Sequence, residues 1–152
     1  MELLLMKREH LEGVAILERL CFAEPWSAKA LELLLGDGAF ALVCTKGDAV
    51  IAYGGMLTVL EEGQITNIAV HPDHRRCGVG RRVLTEMLNE AERRGLSEIS
   101  LEVRASNLAA IALYEQMGFA CVGRRRGFYK QPTEDAMVMI RGQAVWDSEY
   151  ET

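Results

Sequence analysis

The sequence predicts one α/β domain built on a mixed, mainly antiparallel sheet of about seven strands, with about four helices packed on it. The chain has 152 residues, 49% of them hydrophobic, which suits a single core. Strand-like and helix-like segments are interspersed along it, and three successive strand-like runs in the first half and two at the end have no helix between them. We expect residues 1–141 to form the domain and residues 142–152 to form a polar tail.

The first half of the chain predicts one strand, two helices and three further strands. Residues 1–6 form an apolar run, and residues 7–22 carry apolar side chains at helical spacing: Leu11, Val14, Ala15, Leu17 and Leu20. Ser27 is placed to cap a short second helix that ends at Gly36. Two apolar runs, 39–45 and 49–60, flank a Lys-Gly-Asp turn typical of a hairpin, and residues 64–70 form the next strand.

The second half predicts two helices and three strands. A long helix follows a loop and has six apolar residues on one face: Val79, Val83, Leu84, Met87, Leu88 and Ala91. Gly95 ends this helix, and residues 97–103 alternate as a strand. Asn107 is the predicted N-cap of a last helix that ends at Gly118. Residues 119–123 and 135–140 are the closing strands, joined by an arginine-rich loop that contains a proline.

Composition argues against several classes of protein. The four cysteines (Cys21, Cys44, Cys77 and Cys121) are dispersed without a CxxC pair, which disfavours a disulfide framework or a zinc site. No apolar run is as long as a membrane span, and the first residues lack a signal-peptide pattern, so we expect a cytoplasmic protein without a membrane partner. The net charge of −5 disfavours direct nucleic-acid binding. We expect a monomer or a weak oligomer.

Charge is unevenly distributed along the chain. Residues 1–66 hold ten acidic and five basic side chains, whereas residues 75–130 hold eleven of the seventeen basic ones. Arginines flank the Gly78-Val79-Gly80 segment, which lies between a strand and the start of a helix. Such a start presents unpaired N–H groups and the positive end of the helix dipole, and glycines let an anion approach the backbone. Residues 71–82 therefore predict a phosphate-binding loop; the alternative is a positively charged helix start without a ligand.

Other sites fit this segment less well. A Walker loop requires a lysine after its last glycine, but Arg81 follows Gly80. A dinucleotide fingerprint requires a third glycine where Val83 stands. The polar loop residues His71, Asp73 and His74 have no further ligand cluster near them in the sequence, so no metal is expected.

Two blocks of the sequence resemble a known family. The loop Arg-Arg-Cys-Gly-Val-Gly (75–80) resembles the Q/R-x-x-G-x-G/A loop with which the GNAT superfamily of N-acetyltransferases binds the pyrophosphate of acetyl-CoA, and the predicted element order agrees with the GNAT fold. Residues 101–119 resemble the bacterial ribosomal-protein-alanine N-acetyltransferases, which modify the N-terminus of small-subunit ribosomal protein eighteen. Residues 25–27 and 134–139 agree with this subfamily, and the resemblance covers residues 1–141.

The resemblance implies how the co-substrate acetyl-CoA is held. The backbone of Ile68, Ala69 and Val70 is implied to contact the pantetheine arm and acetyl group, and Asn107 to contact the arm. The residues implied to hold the pyrophosphate are Arg75, Arg76, Cys77, Gly78, Val79, Gly80 and Arg81. The family often has Gln at the position of Arg75 or Cys77; backbone N–H groups carry most of such a loop, so this departure is tolerable.

The resemblance also implies two catalytic residues, Glu102 as the general base and Tyr114 as the general acid. Acyl transfer needs a neutral amine, a hydrogen-bond donor for the developing oxyanion and a proton for the leaving thiolate. A protein α-amine has a pKa of about 7.7–8.0, so a carboxylate acting through water suffices, and a phenol is a reasonable donor to the thiolate. The N–H of Val70 is the candidate oxyanion donor. By spacing alone, Glu102 is a solvated carboxylate and Tyr114 a packing residue.

The acceptor site is marked less clearly. Its candidate walls are Phe22, Pro25, Trp26 and Tyr129, with ordinary packing as the alternative for each. The family commonly has Tyr-Tyr where this chain has Phe128-Tyr129, which removes one hydroxyl. Cys77, beside arginines at a helix start, is a candidate redox-sensitive thiol. The expected activity is acetylation of the N-terminal alanine of a ribosomal protein. The alternatives are other protein N-termini, lysines or small amines as acceptors, and a non-catalytic acetyl-CoA-sensing module.

Overall fold

The computed structural model describes residues 1–142. Its strands are β1 (Glu2–Leu5), β2 (Ala39–Lys46), β3 (Ala49–Val59), β4 (Glu62–Val70), β5 (Glu98–Arg104), β6 (Ala120–Lys130) and β7 (Thr133–Gly142). Its α-helices are α1 (Leu11–Cys21), α2 (Ala28–Leu31), α3 (Val79–Arg93) and α4 (Leu108–Gln116), and short 3-10 helices span Arg8–His10, Glu32–Leu35 and Pro72–His74. The rest of the predicted polar tail, residues 143–152, lies outside the described residues. None of the described helices is both long and apolar enough to span a membrane.

The strands form one sheet in the order β1-β2-β3-β4-β5-β7-β6. Every neighbouring pair is antiparallel except β4 and β5, which are parallel because the chain crosses over through α3 between them. The predicted mixed, mainly antiparallel sheet of seven strands with four α-helices is confirmed.

Helices cover both faces of the sheet, so its central strands are buried on both sides. In β2, Phe40, Leu42 and Cys44 belong to a core formed with α3, while alternate residues face a second core formed with α1. All six residues of the predicted apolar face of α3 are buried. The Lys-Gly-Asp hairpin and the Ser27 cap are also confirmed: the chain turns at Gly47, and the Ser27 hydroxyl accepts a hydrogen bond from Ala30 N–H.

The buried face of α1 differs from the prediction at two positions. Leu20, which was expected to face the core, is 53% exposed, whereas Glu18 is fully buried. Positions 11, 14, 15 and 18 form one helical stripe, and position 20 lies away from it. The carboxylate of Glu18 therefore lies on the apolar side of the helix.

The predicted arginine-rich loop between the last two strands is wrong for most of its length. Residues 124–130 continue β6, residues 133 and 134 begin β7, and Gln131 and Pro132 make the turn. β6 is a largely exposed edge strand, so it lacks the alternation of apolar and polar residues that identifies a half-buried strand. Its pairing is supported instead by polar contacts such as Arg124 Nε to Asp135 Oδ2 at 2.7 Å.

Packing of α3 on β3 requires a glycine at position 54. A Cβ added there would lie 2.2 Å from Met87 Sδ and 3.1 Å from Val83 Cγ1, and both residues are fully buried. Gly54→Ala is expected to lower the free energy of unfolding by about 1–3 kcal/mol, because the core must shift to admit the methyl group. Gly123→Ala is the matched control, since its added Cβ meets no atom within 4 Å. Equal losses for the two variants in urea unfolding would contradict this account.

Candidate active site

A cleft opens where the two parallel strands of the sheet separate. β4 and β5 pair only along Glu62–Gln64 and Glu98–Ser100 and then diverge. The pairing of β4 with β3 shifts at this point, because Asn67 lies opposite Gly55 and Ile65 opposite Met56, which leaves Thr66 as an extra residue. Such a bulge bends the strand and increases its twist. The resulting cleft has a volume of about 940 Å³ between the ends of the two strands.

The β4 wall of the cleft presents backbone groups that the sheet does not use. The N–H of His71 donates to Ile51 O on β3 at 2.8 Å. Hydrogen-bonding direction alternates along an antiparallel pair, so the N–H and C=O groups of Ile68 and Val70 point away from β3. Both residues line the cleft, whereas Ala69 is buried on the α1 side. The strand edge can therefore pair with an extended, amide-containing ligand.

The predicted phosphate loop leads from β4 into α3. Gly78 is the N-cap of α3 in the left-handed conformation (φ +79°), and Arg76 also has a positive φ of 64°. No atom lies within 4 Å of a Cβ built on Gly78, so the space beside its backbone is open. Gly80 lines the cleft at the first turn of the helix, where N–H groups lack partners within the helix. This arrangement suits a phosphate group that enters from the cleft.

The side chains around this loop have separate roles. Arg75 donates through Nε to Val70 O at 3.0 Å and contacts Cys21 Sγ at 3.5 Å, while Arg81 donates to Gln116 Oε1 at the end of α4. Val79 is part of the core, and Cys77 is exposed. Asn107, at the cleft, caps α4 by accepting from Ala110 N–H at 3.2 Å. The structure therefore places Ile68, Val70, Gly80 and Asn107 in the cleft, with Arg75 to Gly78 in the exposed loop beside its β4 wall.

Glu102 lies on the opposite wall. Burial alternates along β5, so the apolar residues at 99, 101 and 103 enter the core and Glu102 faces the cleft. The Glu102 side chain is 14% exposed, and its Oε1 is 3.4 Å from Gln64 Nε2 and 3.9 Å from an Arg125 nitrogen. Neither long contact occupies the carboxylate fully, so it can accept a proton from a ligand or a water in the cleft.

Tyr114 reaches the same cleft from α4. The residue is 9% exposed and packs edge-on against Phe119, with ring centroids 5.7 Å apart. Burial, together with the nearby Tyr129, raises the pKa of Tyr114 to about 12. No hydrogen bond from its hydroxyl occurs among residues 1–142, and the phenol keeps its proton at neutral pH. The Tyr114 side chain thus lies at the cleft with a protonated hydroxyl that can donate to a ligand.

The β6–β7 hairpin forms a further wall, which is fixed by Arg104. The Arg104 guanidinium lies 4.4 Å from the ring centre of Tyr129 and donates to the carbonyl oxygens of Gln131 and Pro132. Arg104 also pairs with Glu134 at 3.2 Å. Hydrogen bonds from Ser106 and Arg104 hold the pKa of Glu134 below its ordinary value. Burial, followed by the charge of Glu102, raises the pKa of Tyr129.

The segment between α1 and α2 closes the remaining side. Phe22 and Trp26, two of the residues expected to wall the acceptor site, line the cleft and are half-buried. Pro25 is exposed and does not line it, while Glu24 does. The structure thus brings together three of the four predicted acceptor residues: Phe22, Trp26 and Tyr129.

Sequence reasoning missed Gln64, Arg104 and Glu134, which contact or frame the predicted catalytic residues. Each is a polar residue in a strand with no motif around it, and only the register of neighbouring strands brings it to the site. Among residues 1–142, no group of three or more His, Cys, Asp or Glu side chains could hold a metal ion.

Comparisons with known proteins agree with this geometry. Residues 11–119 match the acetyltransferase (GNAT) family. The ribosomal protein bS18-alanine N-acetyltransferase of Escherichia coli K12 is 41% identical over 127 residues, which cover 81% of this chain and 84% of the relative. The crystal structure of the ribosomal-protein-S18-alanine N-acetyltransferase from Escherichia coli superposes with a TM-score of 0.86 and 36% identity, over 93% of this chain and 92% of that chain.

A more distant structure shares the fold. The aminoglycoside 6'-N-acetyltransferase complexed with coenzyme A superposes with a TM-score of 0.81 at 15% identity, over 93% of this chain and 97% of that chain. The family match spans most of the chain, and the Escherichia coli relative is similar over more than four fifths of it. On these grounds the chain belongs to the acetyltransferase (GNAT) family.

Proposed function

We propose that this chain acetylates the N-terminal α-amine of a small-subunit ribosomal protein, with alanine as the acetylated residue and acetyl-CoA as the donor. The observation that carries the proposal is a single cleft that has, on one wall, a strand edge at Ile68 and Val70 with which no strand pairs, and Glu102 and Tyr114 on the others. The relative from Escherichia coli, named for ribosomal protein bS18, is 41% identical and supports the same acceptor. Because a ribosomal protein is made in the cytoplasm, we place the proposed activity there.

The residues of the cleft fit acetyl-CoA. The outward N–H and C=O groups of Ile68 pair with the amides of the pantetheine arm, much as an added strand pairs with a sheet edge, and the N–H of Val70 is left for the acetyl group. Gly78, Gly80 and the first N–H groups of α3 hold the pyrophosphate, and Arg76 adds positive charge. Asn107 lies at the cleft, where its side chain can reach the arm.

The proposed chemistry uses three groups of this chain. Acetyl-CoA supplies a thioester whose carbonyl carbon is attacked by the amine. Glu102 takes a proton from the amine, through water, as the N–C bond forms. The N–H of Val70 donates a hydrogen bond to the carbonyl oxygen as that oxygen gains negative charge. Tyr114 gives its phenolic proton to the sulfur as the C–S bond breaks, and its pKa of about 12 ensures that this proton is present.

The acceptor enters between the α1–α2 segment and the β6–β7 hairpin. Phe22 and Trp26 offer apolar surface on one side, and Tyr129 lies on the other. The carboxylates of Glu24 and Glu102 also line this cleft, which favours an acceptor that carries positive charge near its N-terminus.

A peptide panel tests the proposed function. The purified protein is mixed with acetyl-CoA and three acceptors: a ribosomal peptide that begins with alanine, the same peptide with a blocked N-terminus and an internal lysine, and a polyamine. We expect acetylation of the first acceptor alone, with the acetyl group located on the α-amine by mass spectrometry. Transfer only to lysine or polyamine would replace the proposed acceptor. Binding of acetyl-CoA without any transfer would favour a sensing module.

A further inference from the structure

Glu18 is the one charged side chain that is fully buried within residues 1–142. Its Oε1 accepts a hydrogen bond from the Trp26 N–H at 2.9 Å. Its Oε2 accepts from Asn67 Nδ2 at 3.0 Å and from the Tyr53 hydroxyl. None of the ion pairs formed by residues 1–142 includes Glu18, so three neutral donors stabilise the buried charge.

A buried carboxylate is a costly way to stabilise a fold, because a pair of apolar residues in its place is often as stable or more so. The position on α1 belongs to an apolar stripe, where leucine would satisfy packing. The contacts of Glu18 therefore point to what it holds in place. They reach two walls of the cleft, because both Trp26 and Asn67 line it.

The two oxygens of Glu18 bind segments that differ in how many other hydrogen bonds fix them. β4, which carries Asn67, is paired with β3 from Glu62 to Val70, so its position does not depend on one side-chain contact. Residues 23–26 have no strand or helix partner. Within residues 1–142, the bond from Trp26 N–H to Glu18 is the hydrogen bond that ties residues 23–26 to the rest of the fold. Phe22 and Trp26 also pack against the core formed with α1. Removing the carboxylate therefore leaves residues 23–26 held by side-chain packing alone, whereas β4 keeps its strand pairing.

We propose that Glu18 is a positioning residue for the acceptor, which holds Trp26 at the cleft and so sets acceptor affinity without contacting the acetyl donor. This inference rests on the proposed function, because the position of Trp26 affects turnover only if an acceptor binds beside it. Hydrogen bonds from Tyr53 and Asn67 fix the position of the Glu18 carboxylate. The carboxylate in turn fixes Trp26, whose side chain borders the proposed acceptor.

The test compares Glu18→Ala with Glu12→Ala, which removes an exposed carboxylate from the same helix. We expect Glu18→Ala to raise the KM for the alanine-starting peptide about 10-fold or more, with kcat and the Kd for acetyl-CoA within about twofold of wild type. Glu12→Ala is expected to change none of these values. Glu18→Gln keeps an oxygen for the Trp26 N–H and is expected to restore most of the acceptor affinity.

Hydrogen–deuterium exchange of residues 22–27 separates this inference from the proposed function, because it needs no acceptor. Faster exchange in Glu18→Ala, in a protein that transfers acetyl groups to no α-amine, would show that Glu18 holds the Trp26 segment in place although the proposed function has failed. Unchanged exchange and unchanged peptide KM in an active Glu18→Ala would overturn the positioning role. If Glu18→Ala does not fold, the double variant Tyr53→Phe/Asn67→Ala decides: a several-fold rise in peptide KM together with faster exchange at residues 22–27 supports the role, and unchanged exchange there overturns it.

Discussion

Glu102→Gln is expected to lower kcat for acetylation of the peptide by about 100-fold or more, the range typical for loss of a general base. The carboxamide has nearly the shape of the carboxylate but cannot take a proton from the amine. The Kd for acetyl-CoA, measured by calorimetry, should stay within about twofold of wild type, because the proposed donor contacts lie on β4, at the start of α3 and at Asn107, and not on β5.

Glu98→Gln is a matched control for this variant. Glu98 lies on the same strand and the same face, four residues away, at the end where β4 and β5 still pair. Its carboxyl has a raised pKa because of burial and the neighbouring Glu62, and it does not line the cleft. Glu98→Gln should therefore leave kcat unchanged. Equal kcat in wild type and Glu102→Gln would remove the base from the mechanism.

Tyr114→Phe is expected to lower kcat by about 100-fold through loss of the proton donated to the thiolate. Phenylalanine preserves the edge-on contact with Phe119, so the melting temperature should change little. A pKa of about 12 in the wild type means that the phenol remains protonated below that pH. The plot of kcat against pH should therefore show no fall between pH 8 and 10.

The choice of acetyl donor provides a sharper reading of Tyr114. In a thioester of a more acidic thiol, the thiolate can leave without receiving a proton. Tyr114→Phe should therefore lose much less activity with such an acetyl donor than with acetyl-CoA. An equal loss of activity with both acetyl donors would show that Tyr114 packs in the core and does not donate a proton to the thiolate. An alkaline fall in wild-type kcat with an apparent pKa near 9 would show that another group controls the rate.

Much of the fold is predictable because its patterns are local. The apolar stripe of α3, the Ser27 and Asn107 caps and the turn at Gly47 depend on residues within a few positions of one another. Alternation along residues 97–103 puts Glu102 on the face of β5 opposite Leu101 and Val103, and in the structure that face borders the cleft. The roles of Glu102 and Tyr114 came from family resemblance, and they remain predictions.

The remaining features depend on contacts between distant parts of the chain. Arg104 meets Glu134 and the turn at 131–132 across about thirty positions, a pairing set by the register of β5 against β7. Glu18 meets Asn67 across 49 positions. A local signal for Glu18 was nevertheless present, since a charged residue on an apolar helical stripe needs partners in the core. The sequence of edge strand β6 carries no such local signal, because this strand is largely exposed on both faces.

The short stretch over which β4 and β5 pair has a consequence for how such enzymes diversify. The proposed donor contacts lie almost entirely in one continuous stretch, residues 68–81, which runs from the end of β4 to the start of α3. The proposed acceptor walls come from three segments far apart in sequence, around positions 22–26, 102–104 and 129–134. Residues 23–26 and the turn at 131–132 lie outside the strands and helices, so they can change without altering the donor stretch. A gene for this fold can therefore acquire a new acceptor by small, separate mutations while its use of acetyl-CoA is inherited intact.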